Sequence, residues 1–162
     1  MAELTVLEEK LGEVLGLAMA AQDATSKVEK LTEDESLAQT LQRQRDEAEQ
    51  TEQRCTTLAE RLDGKKTAVL DKARETKGEA TEMMKTYLGE DSDALDGFEF
   101  LTMAEAAEVG HWSVLRKLNE RASQEGLGEL IAWALPIQER HFKEALDGSV
   151  ELAGQEDPNE PS

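Results

Sequence analysis

Two short stretches hold the side chains best suited to chemistry: Glu105, Glu108 and His111 in one, Gln138, Glu139 and His141 in the other. On a helical wheel at about 100° per residue, Glu108 falls near the centre of an apolar arc. His111 lies one turn on within the same arc, and Glu105 stands at its edge. In the second stretch Gln138 and His141 enter the apolar arc, while Glu139 lies on its flank. A carboxylate in the middle of an apolar stripe costs several kcal/mol unless it is paired, protonated or bound to a cation. Carboxylate and imidazole at i, i+3 on facing helices are ligands for a metal held inside a bundle, so metal binding is the first chemistry this pattern offers. The second is a Glu, His and Gln hydrogen-bond layer that sets helix register and binds nothing.

Such side chains need long helices to carry them, and the composition supplies these. The chain has 162 residues, enough for one domain with one core, and only three Phe, two Trp and one Tyr. Long stretches of Ala, Glu, Leu, Lys, Gln and Arg favour helix, and no proline precedes Pro136. The apolar recurrence predicts helix A over about 3–31 (Leu7, Leu11, Val14, Ala18, Ala21, Val28) and helix B over about 34–62, opened by a Thr32–Glu35 capping box. Residues 65–87 form a helix with a weak apolar face, suited to a crossover on the outside of a bundle. Residues 88–97, with two glycines and four acids, read as a loop. Helix C spans about 98–123 and helix D about 127–146, and residues 148–162 are an acidic, proline-containing tail expected to be disordered. The predicted fold is all-α: a four-helix bundle of antiparallel hairpins A-B and C-D plus the crossover helix, within a single domain over 1–147.

The levels of the polar residues agree. In a hairpin turning near residues 124 and 125, Glu108 faces His141 and His111 faces Gln138. Around a turn near residue 33, Gln22 and Gln44 come level, so helices A and B add amides to the layer. Trp112, Trp133 and Cys55 fall in packing positions, and Met83-Met84 suits core filling or an adaptable contact surface.

A formal net charge of -18 disfavours binding to nucleic acid or to an anionic membrane. The single cysteine cannot form an internal disulfide, and no apolar run reaches membrane-spanning length; a cytoplasmic protein is expected. Phosphate-binding loops, CxxC pairs and HExxH or GxSxG motifs are absent. The apolar flank of Ile131, Leu135 and Phe142 is wide enough for either core or a dimer interface, and a homodimer is the expected oligomer.

Laid out in this way, residues 3–147 resemble the ferritin-like proteins of the YciF type. Gly64-Lys65-Lys66-Thr67 is similar to the start of that family's crossover, with threonine in place of cysteine. Glu105-Ala106-Ala107-Glu108 and Trp112-Ser113-Val114-Leu115-Arg116 are similar to its third helix, and Glu139 to a carboxylate of its last. The resemblance implies a ferritin-like bundle with Fe or Mn as its metal. The departures imply a converted site: Ala21-Gln22 stands where the family has Ala-Glu, Gln42 to Arg45 where it has Glu and His, and Ala106 in place of the motif histidine. His111 and His141 are additions that could rebuild a mononuclear site with Glu105, Glu108 and Glu139. The segments 108–112 and 133–138 and the 157–161 tail also resemble a set of bacterial, chiefly actinobacterial, proteins. The expectation is a bacterial, non-catalytic, stress-associated binding or structural protein. Its rivals are an Fe or Mn oxidoreductase and a protein–protein interaction module docking through the basic crossover or the acidic tail.

Overall fold

The computed structural model describes residues 2–162, so residue 1 of the expected domain lies outside it. Five helices follow one another: α1 (Val6–Leu31), α2 (Glu35–Arg61), α3 (Lys66–Tyr87), α4 (Ala94–Ala122) and α5 (Leu127–Ala153). No strand occurs among the described residues. Local chemistry sets the starts. Thr5 and Glu8 close a capping box on α1, in which the Glu8 N–H donates to the Thr5 hydroxyl and the Thr5 N–H to the Glu8 carboxylate. The expected Thr32–Glu35 box does not form. Asp34 caps α2 instead, accepting from the Leu37 N–H at 2.9 Å, and Thr32 ends α1 with its hydroxyl turned back to Val28 O.

Two boundaries differ from expectation for a single reason. α4 begins within the predicted loop, at Ala94, where Asp93 and Asp96 form a reciprocal capping box. α5 runs past residue 146 to Ala153, into the segment expected to be disordered. Gly97 and Gly148, which read as breakers, are buried inside these helices because something lies against them. A β-carbon on Gly97 would stand 2.8 Å from a Val28 methyl, and one on Gly148 would stand 2.5 Å from the Phe98 ring. Close approach of neighbouring helices, not a chain break, is what these glycines provide.

The same contacts fix the topology. Gly97, early in α4, meets Val28 near the end of α1, and Gly126, just before α5, meets Leu58 late in α2. α4 is therefore antiparallel to α1 and α5 to α2, and α3 must run the length of the bundle to join α2 to α4. It lies mainly along α1, burying only the small side chains Ala68, Val69, Ala73 and Thr76. Gly12 and Gly16 of α1 admit it closely, since a β-carbon on Gly16 would meet Ala73 O and would lie 2.7 Å from Thr76 Cβ.

The core is in two parts. One is built on Leu11, Val14, Leu15, Leu58, Trp112, Leu115, Leu127 and Ile131, with Cys55 buried among them. The other is built on Val28, Leu37, Leu41, Phe98, Leu101 and Ala145. Ile131 and Leu135 belong to the first part and are almost wholly buried, so within the chain they serve the core. Between the two parts the bundle is polar.

Candidate functional site

Burial along α4 follows Leu101, Glu105, Glu108, Trp112 and Leu115, and along α5 Ala134, Gln138, His141 and Ala145. These are unbroken helical stripes in which four polar residues occupy core positions. Glu105 and His141 are each 1 % exposed and Glu108 3 %, so none has water to solvate it. Their partners are one another. With its amide nitrogen turned toward the carboxyls, the orientation that gives both hydrogens an acceptor, Gln138 donates to Glu105 Oε2 at 2.9 Å and to Glu108 Oε2 at 2.7 Å.

Burial dominates the ionisation of this layer. It raises Glu105 to about 7, an effect opposed by the interaction with Glu108 and reinforced by the charge of Glu144. It raises Glu108 well above the usual carboxylate range, and the adjacent Glu105 pushes it further. Glu108 is therefore protonated at neutral pH, and its side-chain hydrogen bond to Glu105, in which the protonated carboxyl is the donor, adds to that rise. Oε1 has no hydrogen-bond partner among the described residues.

His141 is held to about 4 by burial and by the nearby Arg43 charge, so its ring is neutral. Its Nε2–H donates to Glu47 Oε1 at 3.1 Å. Nδ1 is left 3.8 Å from Glu105 Oε2, too far for a hydrogen bond. Burial pushes the Glu47 carboxyl up against the pull of Arg43, with Glu144 and Asp46 adding to the rise. Two guanidinium groups, Arg43 at 3.3 Å and Arg140 at 3.0 Å, hydrogen-bond to it directly, which keeps it ionised at neutral pH. Arg43 and Arg140 also reach Glu144, so a charged network caps the layer at the α2–α5 edge.

Several expected members stand elsewhere. His111 lies on the rim facing α1, its side chain 39 % exposed, with Nδ1 2.8 Å from Ala107 O and Nε2 3.5 Å from Glu13 Oε2. The stripe from Glu108 to Trp112 steps past it, so it does not face Gln138. Glu139 is exposed, on an outer groove with Arg116 and Asn119. Glu108 meets Gln138, and His141 turns to Glu47 and Glu105. Gln22 donates to Glu52, not to Gln44. Like the Glu29–Arg45 pair, this contact joins residues further along α2 than a turn centred on residue 33 implies. Long side chains lean toward the N-terminus of their own helix, and in an antiparallel pair they meet from Cα positions further along each chain. Gln44 is 1 % exposed, and neither of its amide atoms has a partner among the described residues. The layer thus does contain an acid from α2, Glu47, which the sequence reading missed. Its four-residue offset from Arg43 and its place one turn beyond Gln44 were the only signals.

The donor set does not fit a metal. Both inward Oε2 atoms are occupied by an amide N–H₂, the only imidazole in the layer is committed to Glu47, and His111 and Glu139 are remote. No group of three or more His, Cys, Asp or Glu residues is placed to hold an ion among the described residues. Cys55 is no substitute ligand, because burial, the largest cause, pushes its thiol far up. No helix is long and apolar enough to cross a membrane among the described residues. No protein-family model, curated protein or solved structure matches the chain.

Proposed function

We propose that the chain is a ferritin-like bundle of bacterial type whose central layer is a converted metal site, and that it acts as a non-catalytic binding and structural protein, with stress response as its setting. The observation that carries this reading is Gln138 seated between Glu105 and Glu108. An amide there donates a hydrogen bond to each of the two carboxyls at once, occupying the position between them that a bridging cation would otherwise take. The up-and-down pairs joined by a long crossover helix support the ferritin-like part of the proposal, as does a polar layer set between two apolar cores. The cytoplasm fits a chain whose one cysteine is a buried free thiol.

Elemental analysis of protein purified without chelator tests the reading. Substoichiometric metal, and unfolding curves unmoved by added Fe²⁺ or Mn²⁺, are expected. One ion per chain, lost in Glu108→Ala, would replace this reading with the Fe or Mn oxidoreductase.

A further inference from the structure

α2 ends and α5 begins at the same end of the bundle, and a groove of about 460 Å³ lies between them. Arg54, Thr57 and Arg61 of α2 line one side, and Gly126 and Glu129 the other. Elsewhere on α2 and α5, Arg43, Arg45 and Arg140 each hold a carboxylate. Arg54 and Arg61 are exposed and hold none among the described residues, although the chain has 36 acids to 18 bases. Arg54 is stacked instead on Trp133, its guanidinium carbon 4.1 Å from the ring centroid. Stacking fixes the guanidinium plane and leaves its in-plane N–H donors for an acceptor. Arg61 reaches the end of the groove, where its Nη1 lies 3.5 Å from the position a β-carbon on Gly126 would take. The two arginines share one face of α2, about 10 Å apart along its axis. Arg116 and Arg121, late in α4 at the same end, also lack an acid partner among the described residues.

We propose that this groove binds the acidic C-terminal segment of a second copy of the chain, with carboxylates of Glu156, Asp157 and Glu160 seated on Arg54 and Arg61. Charge selects the class of occupant. Guanidinium groups match carboxylates, and two of them against the single acid Glu129 leave the groove cationic in a chain of net charge -18. Size favours a segment over a lone ion, because 460 Å³ is many times the ~30 Å³ share of one water. The tail meets both requirements: residues 154–162 are exposed throughout and carry three acids and no base. A turn in which the Glu160 N–H donates to Asp157 O at 3.2 Å restrains it locally, and Pro158 and Pro161 lower the entropy that docking costs. The tail falls short of its own groove. α5 runs about 35 Å from Leu130 to Ala153, whereas the chain from Ala153 to Glu160 spans at most about 25 Å fully extended. A second copy must therefore supply it, head to tail. Neither the polar layer nor a metal enters this contact, so it stands apart from the function proposed above.

Sedimentation equilibrium of the full chain tests the contact. The average mass of the wild type should rise with concentration. Arg61→Glu should weaken association at least about tenfold, because it sets like charges against each other. Arg74→Glu makes the same change of net charge at an exposed arginine of α3 that already pairs with Asp71, and it should associate as the wild type does. Reversing the tail, with Glu156→Lys, Asp157→Lys and Glu160→Lys together, should abolish association. Adding Arg54→Glu and Arg61→Glu to that reversed tail should restore it. All these side chains are exposed, so the variants keep the fold. A peptide of residues 154–162 should also change the emission of the half-buried Trp133 saturably in the wild type and not in Arg61→Glu. A wild type that stays monomeric at every concentration overturns the proposal, as does equal weakening by Arg74→Glu and Arg61→Glu. A reversed tail that associates as well as the wild type would put the interface on another face. Emission that responds to inorganic phosphate and not to the peptide would make the groove a small-anion site, and the proposal would fall.

Discussion

His141 donates its Nε2–H to Glu47 Oε1 at 3.1 Å, joining the end of the buried layer to the charged α2–α5 edge. The side chain of His141 is 2 % exposed and has no water to replace that acceptor. Glu47→Ala should therefore cost about 1–3 kcal/mol, the usual penalty for an orphaned buried donor. Arg140→Ala removes a guanidinium that is 42 % exposed from the same carboxylate and should cost less than about 1 kcal/mol. Urea unfolding of both variants checks the ranking, and a larger loss for Arg140→Ala would contradict it.

The buried carboxyls make stability fall as pH rises. Because Glu105 and Glu108 titrate above 4.5 in the folded chain, the native state holds more protons than the unfolded one. Their contribution is complete below the unfolded value and is lost as pH climbs through about 7 and beyond. His141 acts oppositely: depressed from 6.5 to about 4, it contributes fully above 6.5 and loses that contribution as pH falls toward 4. Above pH 6.5 only the carboxyl slope remains. The unfolding free energy of the wild type should therefore fall more steeply with rising pH than that of Glu108→Gln. The difference between their unfolding free energies is the measurement, because it cancels the surface charges common to both.

Glycine-to-alanine changes inside the helices should differ in sign. Gly110 has nothing near its missing β-carbon, so Gly110→Ala should stabilise by about 0.5–1 kcal/mol through helix propensity alone. At Gly16 the added methyl meets Ala73 O and Thr76 of α3, and Gly16→Ala should destabilise by about 1–3 kcal/mol. Thermal melts of the two variants, one rising and one falling relative to the wild type, check the close α1–α3 crossing.

Cys55 is wholly buried with its thiol pushed far above the usual range, so a disulfide exchange reagent should not modify the native chain. The same reagent should react at once in denaturant. A native reaction as fast as the unfolded one would mean that the Trp112 side of the core opens far more readily than its packing implies.

Helix identity was legible in the letters because it depends on local periodicity, and the stripes through Leu11, Leu41, Leu115 and Leu130 are periodic over many turns. So was the presence of Glu108 and His141 in the core. A 3.6-residue period shows which residues share a face, and it puts these two on the apolar one. The sequence alone did not decide partners. His111 lies within about one residue's rotation of the buried arc, and only the angle at which α1 crosses α4 places it on the rim beside Glu13. Glu47 reads as a surface acid on α2 until α5 packs against it. Gly97 and Gly148 have the letters of chain breaks, and only the presence of Val28 and Phe98 opposite them turns them into contacts. Periodicity fixes direction around one helix axis, whereas a polar layer is made by several axes at once. Their crossing angles and offsets come from the packing of the whole core.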